Sequence, residues 1–413
     1  MMQSQSEAIQ QYSAAPVACP TIEYIATADG ARIAVKRRPV LGGVPVVMAH
    51  GLSANADQWD LPEVQTPAFN YCSIASRLHE SGFDLWMLNF RGCGWPTMWS
   101  EPPPHQRDWN VDHYITLDLP VVLEHVARVT GQRPLVIAQS MGALVLGAYL
   151  VGSVREGGDM PGPARIVLSE DAAIERQLAL RGCVFIEMPA ALRWPASIYQ
   201  DGRLEWGRLL REWIRNDAAK NFSYEILSRF QWLEAPLTAA GRIPLERLRP
   251  KPGRPALWQR LPGRWQERGR QLQMQALQGL LDVSSVVTGS INHRAEVLHH
   301  GRRLIIDGVQ AGVLRQLAKG VRTRAFVSDT DLPGVVYSDH YERISLPALC
   351  IAGGRDRVAN ATVMKEAFFE RIRSADKQFL PFESLSHGEF GLAPITCELV
   401  YPHILQWLRA RAS

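Results

Sequence analysis

The sequence has no CxxC pair, and its six cysteines (Cys19, Cys72, Cys93, Cys183, Cys350, Cys397) are scattered over 413 residues. That spacing excludes a disulfide-dense secreted scaffold and the common zinc ribbons and fingers. Cys183 and Cys350 lie in runs that read as buried strands, where a free thiol packs as a small hydrophobe. Reduced thiols imply a cytoplasmic location. No apolar run approaches the ~18 residues needed to cross a bilayer. Residues 1–15 are rich in Gln, Ser and Ala, with neither a basic n-region nor an apolar h-region. They read as part of a flexible tail over 1–20, with no signal peptide. A net charge of +4 is small for this length and excludes a molecule that is basic as a whole. Metal-spaced His/Cys clusters, internal repeats and long low-complexity tracts are also missing. His299-His300 is a lone pair in a polar stretch and reads as solvated.

Strand and helix signals alternate through most of the chain. Residues 21–35 alternate apolar and polar around Ala28-Asp29-Gly30, the pattern of a β-hairpin. The run 44–49 predicts a short buried strand, 74–81 a helix, and 83–90 the next strand, leaving through the Gly- and Pro-containing loop 91–96. An amphipathic helix is expected over 113–130, with Gly131 as its stop. A strand at 135–139 and a small-residue helix over 143–154 follow, then a loop at 157–162 and a strand at 183–188. From about 193 to about 340 the chain is rich in Arg, Gln, Leu and Trp, with helical periodicity and few strand signals. Alternation resumes with a strand at 346–353, a helix at 361–372, a strand at 378–380 and a closing helix at 398–410. This order predicts an α/β domain with a mostly parallel sheet flanked by helices. Its core would comprise 21–192 and 341–413, interrupted by a mostly helical insertion over 193–340.

The chemistry is expected where strands end. In Ala138-Gln139-Ser140-Met141-Gly142 a serine follows a β-branched apolar run, with a small residue two places away on either side. That is the pattern of a strand–tight turn–helix nucleophile elbow. A serine hydroxyl is a poor nucleophile without a base in hydrogen-bonding reach and an acid that orients the base. Asp356 follows the strand ending at 353, and His387 follows the strand at 378–380, giving the order Ser140, Asp356, His387. A tetrahedral intermediate also needs preorganised donors for its oxyanion. The backbone N–H groups of Met141, at the helix start, and Leu52, after His50-Gly51, are the expected pair. His50 itself reads as a loop-shaping residue, because His387 already occupies the base position.

Several segments together resemble the α/β-hydrolase superfamily, and within it the acid lipase and steryl ester hydrolase group. They are His50-Gly51-Leu52 with Trp59, Phe83-Asp84-Leu85-Trp86 running into Asn89-x-Arg91-Gly92, and Asp118-Leu119-Pro120 with Thr130-Gly131. The stretch 316–326 and His387-x-x-Phe390 belong to the same set. The resemblance implies carboxylic ester hydrolysis through an acyl-serine, with Ser140, Asp356 and His387 on the triad positions and Leu52 on an oxyanion position. It implies no metal and no organic cofactor. The elbow departs from the group's usual Gly-His-Ser-x-Gly at two places: Ala138 is small enough to keep the turn, whereas Gln139 changes the residue beside the nucleophile.

The resemblance also makes the insertion a cap after the sixth core strand, lying over the nucleophile and shaping an acyl pocket. Within it, residues 241–270 carry nine arginines and lysines against two glutamates, with five prolines and two tryptophans interleaved. The plain reading is a solvated, irregular surface; the sharper one is transient contact with an anionic lipid surface or a CoA phosphate. No nucleic-acid module accompanies the charge. The expected partner is a small-molecule or lipid ester. Acyl transfer or thioester hydrolysis on CoA- or carrier-bound acyl groups is the alternative, and a silent binding protein of the same fold is a third reading. Acyl length and oligomeric state stay open.

Overall fold

A computed structural model describes residues 20–61, 73–106, 108–156, 165–193, 199–200, 203–204, 305, 307–329, 334–356 and 358–412. The expected tail, the loop at 157–162, most of the expected cap and the whole of 241–270 lie outside the described residues. Strands β1 (Thr21–Ala26) and β2 (Arg32–Arg38) form the predicted antiparallel hairpin, with Ile25 opposite Ile33. Then come β3 (Pro45–Ala49), α1 (Ile74–Glu80) and β4 (Asp84–Leu88). Residues 111–130 are continuously helical: α2 (Val111–His113), a π turn over Tyr114–Asp118, and α3 (Leu119–Thr130), capped by Gly131. Strand β5 (Leu135–Gln139) then turns into α4 (Met141–Leu150).

Here the sequence reading overran. The helix stops at Leu150, and Ser153–Glu156 (β6) instead pairs antiparallel with Arg165–Leu168 (β7). The reason is local capping. The Ser153 hydroxyl donates to the Ala148 carbonyl at 2.6 Å and the Gly152 amide to that of Tyr149 at 3.1 Å. Two last-turn acceptors are thereby satisfied and the chain leaves the helix. Next in order are α5 (Glu170–Leu178), β8 (Gly182–Ile186), and a two-residue hairpin of β9 (Tyr199–Gln200) and β10 (Arg203–Leu204). After α6 (Ala311–Thr323) and a 3-10 segment at Tyr337–Arg343 come β11 (Ala348–Gly353) and α7 (Ala361–Met364), which runs on through a π turn. The chain ends with β12 (Lys377–Phe382), α8 (Ile395–Leu399) and α9 (Tyr401–Arg409). The expected single closing helix is thus two, broken at Val400, because Pro402 in the first turn of α9 has no N–H to continue the ladder.

Eight strands form one sheet in the order β1-β2-β4-β3-β5-β8-β11-β12. The pairs from β4 to β12 are parallel, and only the β1–β2 and β2–β4 pairs run antiparallel. Strands β3, β4, β5, β8 and β11 are buried along their whole length, as a sheet covered on both faces requires. Alternate residues feed two cores. Val47, Ala49, Val136 and Ala138 pack with α3, α4 and Phe368 on one face. Val46, Met48, Leu135 and Ile137 pack with Ile74 and Leu78 of α1 and Ile404 and Trp407 of α9 on the other. Among the described residues no helix is long and apolar enough to cross a membrane.

The part of the expected insertion from residue 307 onward is built into the core. Val313, Phe326, Tyr337 and Tyr341 belong to the first core. Gln316 of α6 accepts the Val111 amide at 2.8 Å and donates to Asp112 at 2.6 Å, while the Tyr337 hydroxyl donates to the same carboxylate at 2.7 Å. Burial pushes Asp112 up to about 6.

Arg91 is completely buried beside β4, donating to Asp118 at 2.6 and 2.9 Å and to Asp29 at 2.6 Å. It ties the β1–β2 turn to the start of α3. Replacing one member of a buried ion group strands the others, so Arg91→Met should cost about 3–5 kcal/mol of unfolding free energy in a denaturant titration. Two histidines, His50 fully buried and His113 partly so, contribute to the acid sensitivity of the fold. Burial lowers His50 to about 4, and burial together with the Arg91 charge lowers His113 to about 3. Both are neutral in the folded state but gain a proton near 6.5 when unfolded. Their contribution is therefore complete above about pH 6.5 and is lost as the pH falls through 4 to 3. A melting temperature measured from pH 7 to 4 should fall over that window, and less steeply in His113→Asn.

Candidate active site

Ser140 sits where β5 gives way to α4, at φ 52° and ψ −117°. An L-residue adopts that backbone conformation only when its surroundings enforce it. The Ser140 amide donates to the Ile186 carbonyl of β8 at 2.9 Å, and the Ser140 carbonyl accepts the Leu144 amide at 3.1 Å. Strand and helix can meet so tightly because Gly142 has no side chain. A Cβ there would stand 2.6 Å from the carbonyl oxygens of Ala49 and His50. Ala138 is buried between Ala49 and Phe185 on the neighbouring strands. Both small positions do what the sequence reading asked of them.

The loop after β3 runs alongside the serine. A Cβ on Gly51 would lie 3.3 Å from that of Ser140. His50 is fully buried, and its two ring nitrogens fix the loop: Nδ1 donates to the Gly51 carbonyl at 2.8 Å and Nε2 accepts the Phe90 amide at 3.1 Å. With both nitrogens engaged, His50 shapes the loop. Asn89 accepts the Ala56 amide at 2.7 Å and anchors the far side of the same loop. Asp307 clamps it from the returning chain: its backbone exchanges bonds with Ser53, and its carboxylate accepts from Asn55 at 3.0 Å and from the Gly94 amide at 2.6 Å. Leu52 lies in this loop directly after Gly51. Met141 opens α4, where a first-turn amide has no helical acceptor.

Asp356 and His387 arrive from the ends of β11 and β12. The Asp356 Oδ1 accepts the amides of Val358 and Ala359, each at 2.7 Å. Its Oδ2 lies 2.9 Å from His387 Nδ1, and His387 Nε2 lies 2.8 Å from the Ser140 hydroxyl oxygen. Three residues far apart in sequence thus stand in one hydrogen-bonded line. Burial would lower the His387 imidazole, but the Asp356 charge and hydrogen bond, together with Glu187, raise it to about 9.

Glu187 and Gln58 had no place in the sequence reading of the site. Glu187 is the residue after β8 and, like Ser140, has a positive φ, 50°. Its Oε2 accepts from Gln139 Nε2 at 2.9 Å and lies 4.0 Å from His387 Nδ1. Gln139 Oε1 in turn accepts from Gln58 Nε2, and Gln58 Oε1 accepts the Gly51 amide at 3.3 Å. A buried polar chain therefore runs from the loop beside the nucleophile to the imidazole. Burial, then the Asp356 charge, push Glu187 up to about 8. The signal available in the sequence was a lone carboxylate closing the apolar run Cys183-Val184-Phe185-Ile186. Among the described residues, the His, Cys, Asp and Glu donor atoms that converge are those of Glu187, Asp356 and His387, within 4.8 Å of one another. The set that could hold a cation is the histidine bonded to Ser140 and the two acids beside it.

Residues 44–151 match a family described as the alpha/beta hydrolase fold. A tear acid lipase-like protein of Mesocricetus auratus is 35% identical over 109 residues, 25% of this chain and 26% of that protein. Triacylglycerol lipase 2 of Arabidopsis thaliana is 31% identical over 104 residues, 24% of this chain and 23% of its own length. The chain thus spans about a quarter of the length of these curated relatives. Among solved structures, a membrane phospholipase A described as a bacterial virulence factor superposes with a TM-score of 0.50 at 14% identity, covering 95% of this chain and 86% of that one. Sheet order, strand-end placement of the site and family match agree: the chain has the α/β-hydrolase fold.

Proposed function

We propose that the protein is a serine hydrolase that cleaves carboxylic esters through an acyl-serine intermediate. One observation carries the reading: the unbroken line from the Ser140 hydroxyl through His387 to Asp356, set at three strand ends. Matches to relatives named as lipases support the ester as the substrate class.

In this mechanism Ser140 attacks the ester carbonyl while His387 Nε2 takes the hydroxyl proton. The tetrahedral oxyanion is held by the Leu52 and Met141 amides. His387 returns the proton to the leaving alcohol, and the acyl group stays on Ser140. Water then repeats the sequence with His387 again as base, releasing the acid and the free serine. Asp356 keeps the proton of the neutral imidazole on Nδ1 and offsets the charge that forms on the ring. The same residues would serve thioester cleavage or acyl transfer, so the test separates these.

A fluorophosphonate probe should label Ser140, and Ser140→Ala should lose both labelling and p-nitrophenyl ester turnover. The loss in kcat should be about 10⁴-fold or more, as should that of Asp356→Asn, in which the imidazole tautomer is no longer fixed. Absence of labelling, or an alanine variant with full turnover, overturns the reading. Turnover of acyl-CoA with none of p-nitrophenyl esters transfers it to thioesters. Because a base must be neutral to accept the serine proton, kcat/KM should climb from pH 7 through the His387 ionisation near 9.

A further inference from the structure

We propose that Glu187 is a positioning residue that tunes the proton affinity of His387 and, through Gln139 and Gln58, ties the imidazole to the loop beside the nucleophile. The placement comes from the sheet. Strands β5 and β8 are parallel neighbours with Gln139 opposite Ile186, so the residues that follow, Ser140 and Glu187, leave adjacent strands at the same level. Both are held in left-handed backbone conformations, and the Glu187 amide is tied to β11 by a 2.8 Å bond to the Ile351 carbonyl. Glu187 is fixed by its backbone bond to β11 and by the Gln139 side chain, and it is 2% exposed, so its carboxyl stays in the site. A buried, non-glycine residue in such a conformation marks a position over-determined by its surroundings.

Among the described residues, the groups that face this carboxyl are few. From β5 comes Gln139, a neutral donor at 2.9 Å. From beyond β11 comes Asp356, whose oxygens accept three N–H bonds. From beyond β12 come His387, 4.0 Å away, and Glu389, which accepts the Ser386 amide at 2.8 Å. Two carboxylates beside one imidazole cannot both stay ionised cheaply. Asp356 takes the His387 N–H directly, and Glu187 accepts only the amide of Gln139 from among these groups. Burial and the Asp356 charge therefore favour the protonated Glu187, and its ionised form in turn favours the His387 imidazolium. The two groups titrate as a pair.

The test rests on the reading of His387 as base only in its kinetic arm. The ring proton of His387, assigned by its loss in His387→Gln, is followed by NMR from pH 5 to 11 in the unsubstituted protein. Two inflections are expected; a single one overturns the proposal, whatever the protein hydrolyses. Glu187→Gln keeps the size of the side chain and an oxygen for the Gln139 amide, so a purely structural role would leave the titration unmoved. Instead the midpoint should drop by about one pH unit, the usual effect of a charge within ~4–6 Å. The acid limb of kcat/KM for ester hydrolysis should drop with it. A midpoint equal to that of the unsubstituted protein overturns the proposal. If the variant does not fold, the two-inflection measurement on the unsubstituted protein still decides.

Discussion

The site depends on one pairing, the parallel register of β5 with β8. The Ser140 amide lends its hydrogen to Ile186, the last residue of β8, so the strained turn is an extension of the sheet's own ladder. The bond fixes the nucleophile's backbone and at the same time fixes the level at which β8 ends. Everything beyond, from the α4 start to the Glu187 carboxyl, is placed relative to that rung. The helix can press against the turn because Gly142 leaves room for two carbonyl oxygens where a side chain would stand.

Around this rung the surrounding loops are held by buried polar groups that are themselves satisfied. His50 bridges Gly51 and Phe90 as a neutral ring. Asn89, Gln58 and Asp307 each take up backbone amides that would otherwise be buried without partners. Such groups are costly to strand, so they specify one loop conformation. Asp307 grips the 53–55 stretch by backbone and side chain alike. The chain at Asp307 and the chain flanking the serine are thereby one mechanical unit.

The parallel core was legible in the sequence because its strands are short, mostly apolar runs and helices such as α3 and α9 carry an apolar stripe. The three strand-end residues Ser140, Asp356 and His387 were legible for the same reason: strand ends are marked by turn residues, and order along the chain gives their topology. The failures have local physical causes. The run after Leu150 kept its apolar character, so periodicity alone could not register that Gly152 and Ser153 cap the helix. Ser169 caps α5 by accepting the Ala172 amide at 3.1 Å, a serine N-cap of the kind that marks a helix start in sequence. The core role of residues 311–343 was hidden because α6 is amphipathic either way. Which surface it covers depends on Gln316 and Tyr337 meeting Asp112, a contact across more than two hundred residues. Glu187 was read as an ordinary strand residue, since nothing in a one-dimensional pattern shows that β8 ends beside β5.

Gln139 was marked from the start as the departure beside the nucleophile, and its neighbours give that departure a physical meaning. An amide at this position donates one hydrogen bond to Glu187 and accepts one from Gln58 without introducing charge. A cationic side chain in the same place would pair with Glu187 and hold it ionised. With a neutral partner, burial and the Asp356 charge dominate, and the Glu187 proton is kept up to about 8. The residue next to the serine thus sets the state of a carboxyl next to the histidine. Ser140 and His387 are coupled through side chains of the two strands as well as through the 2.8 Å bond between them.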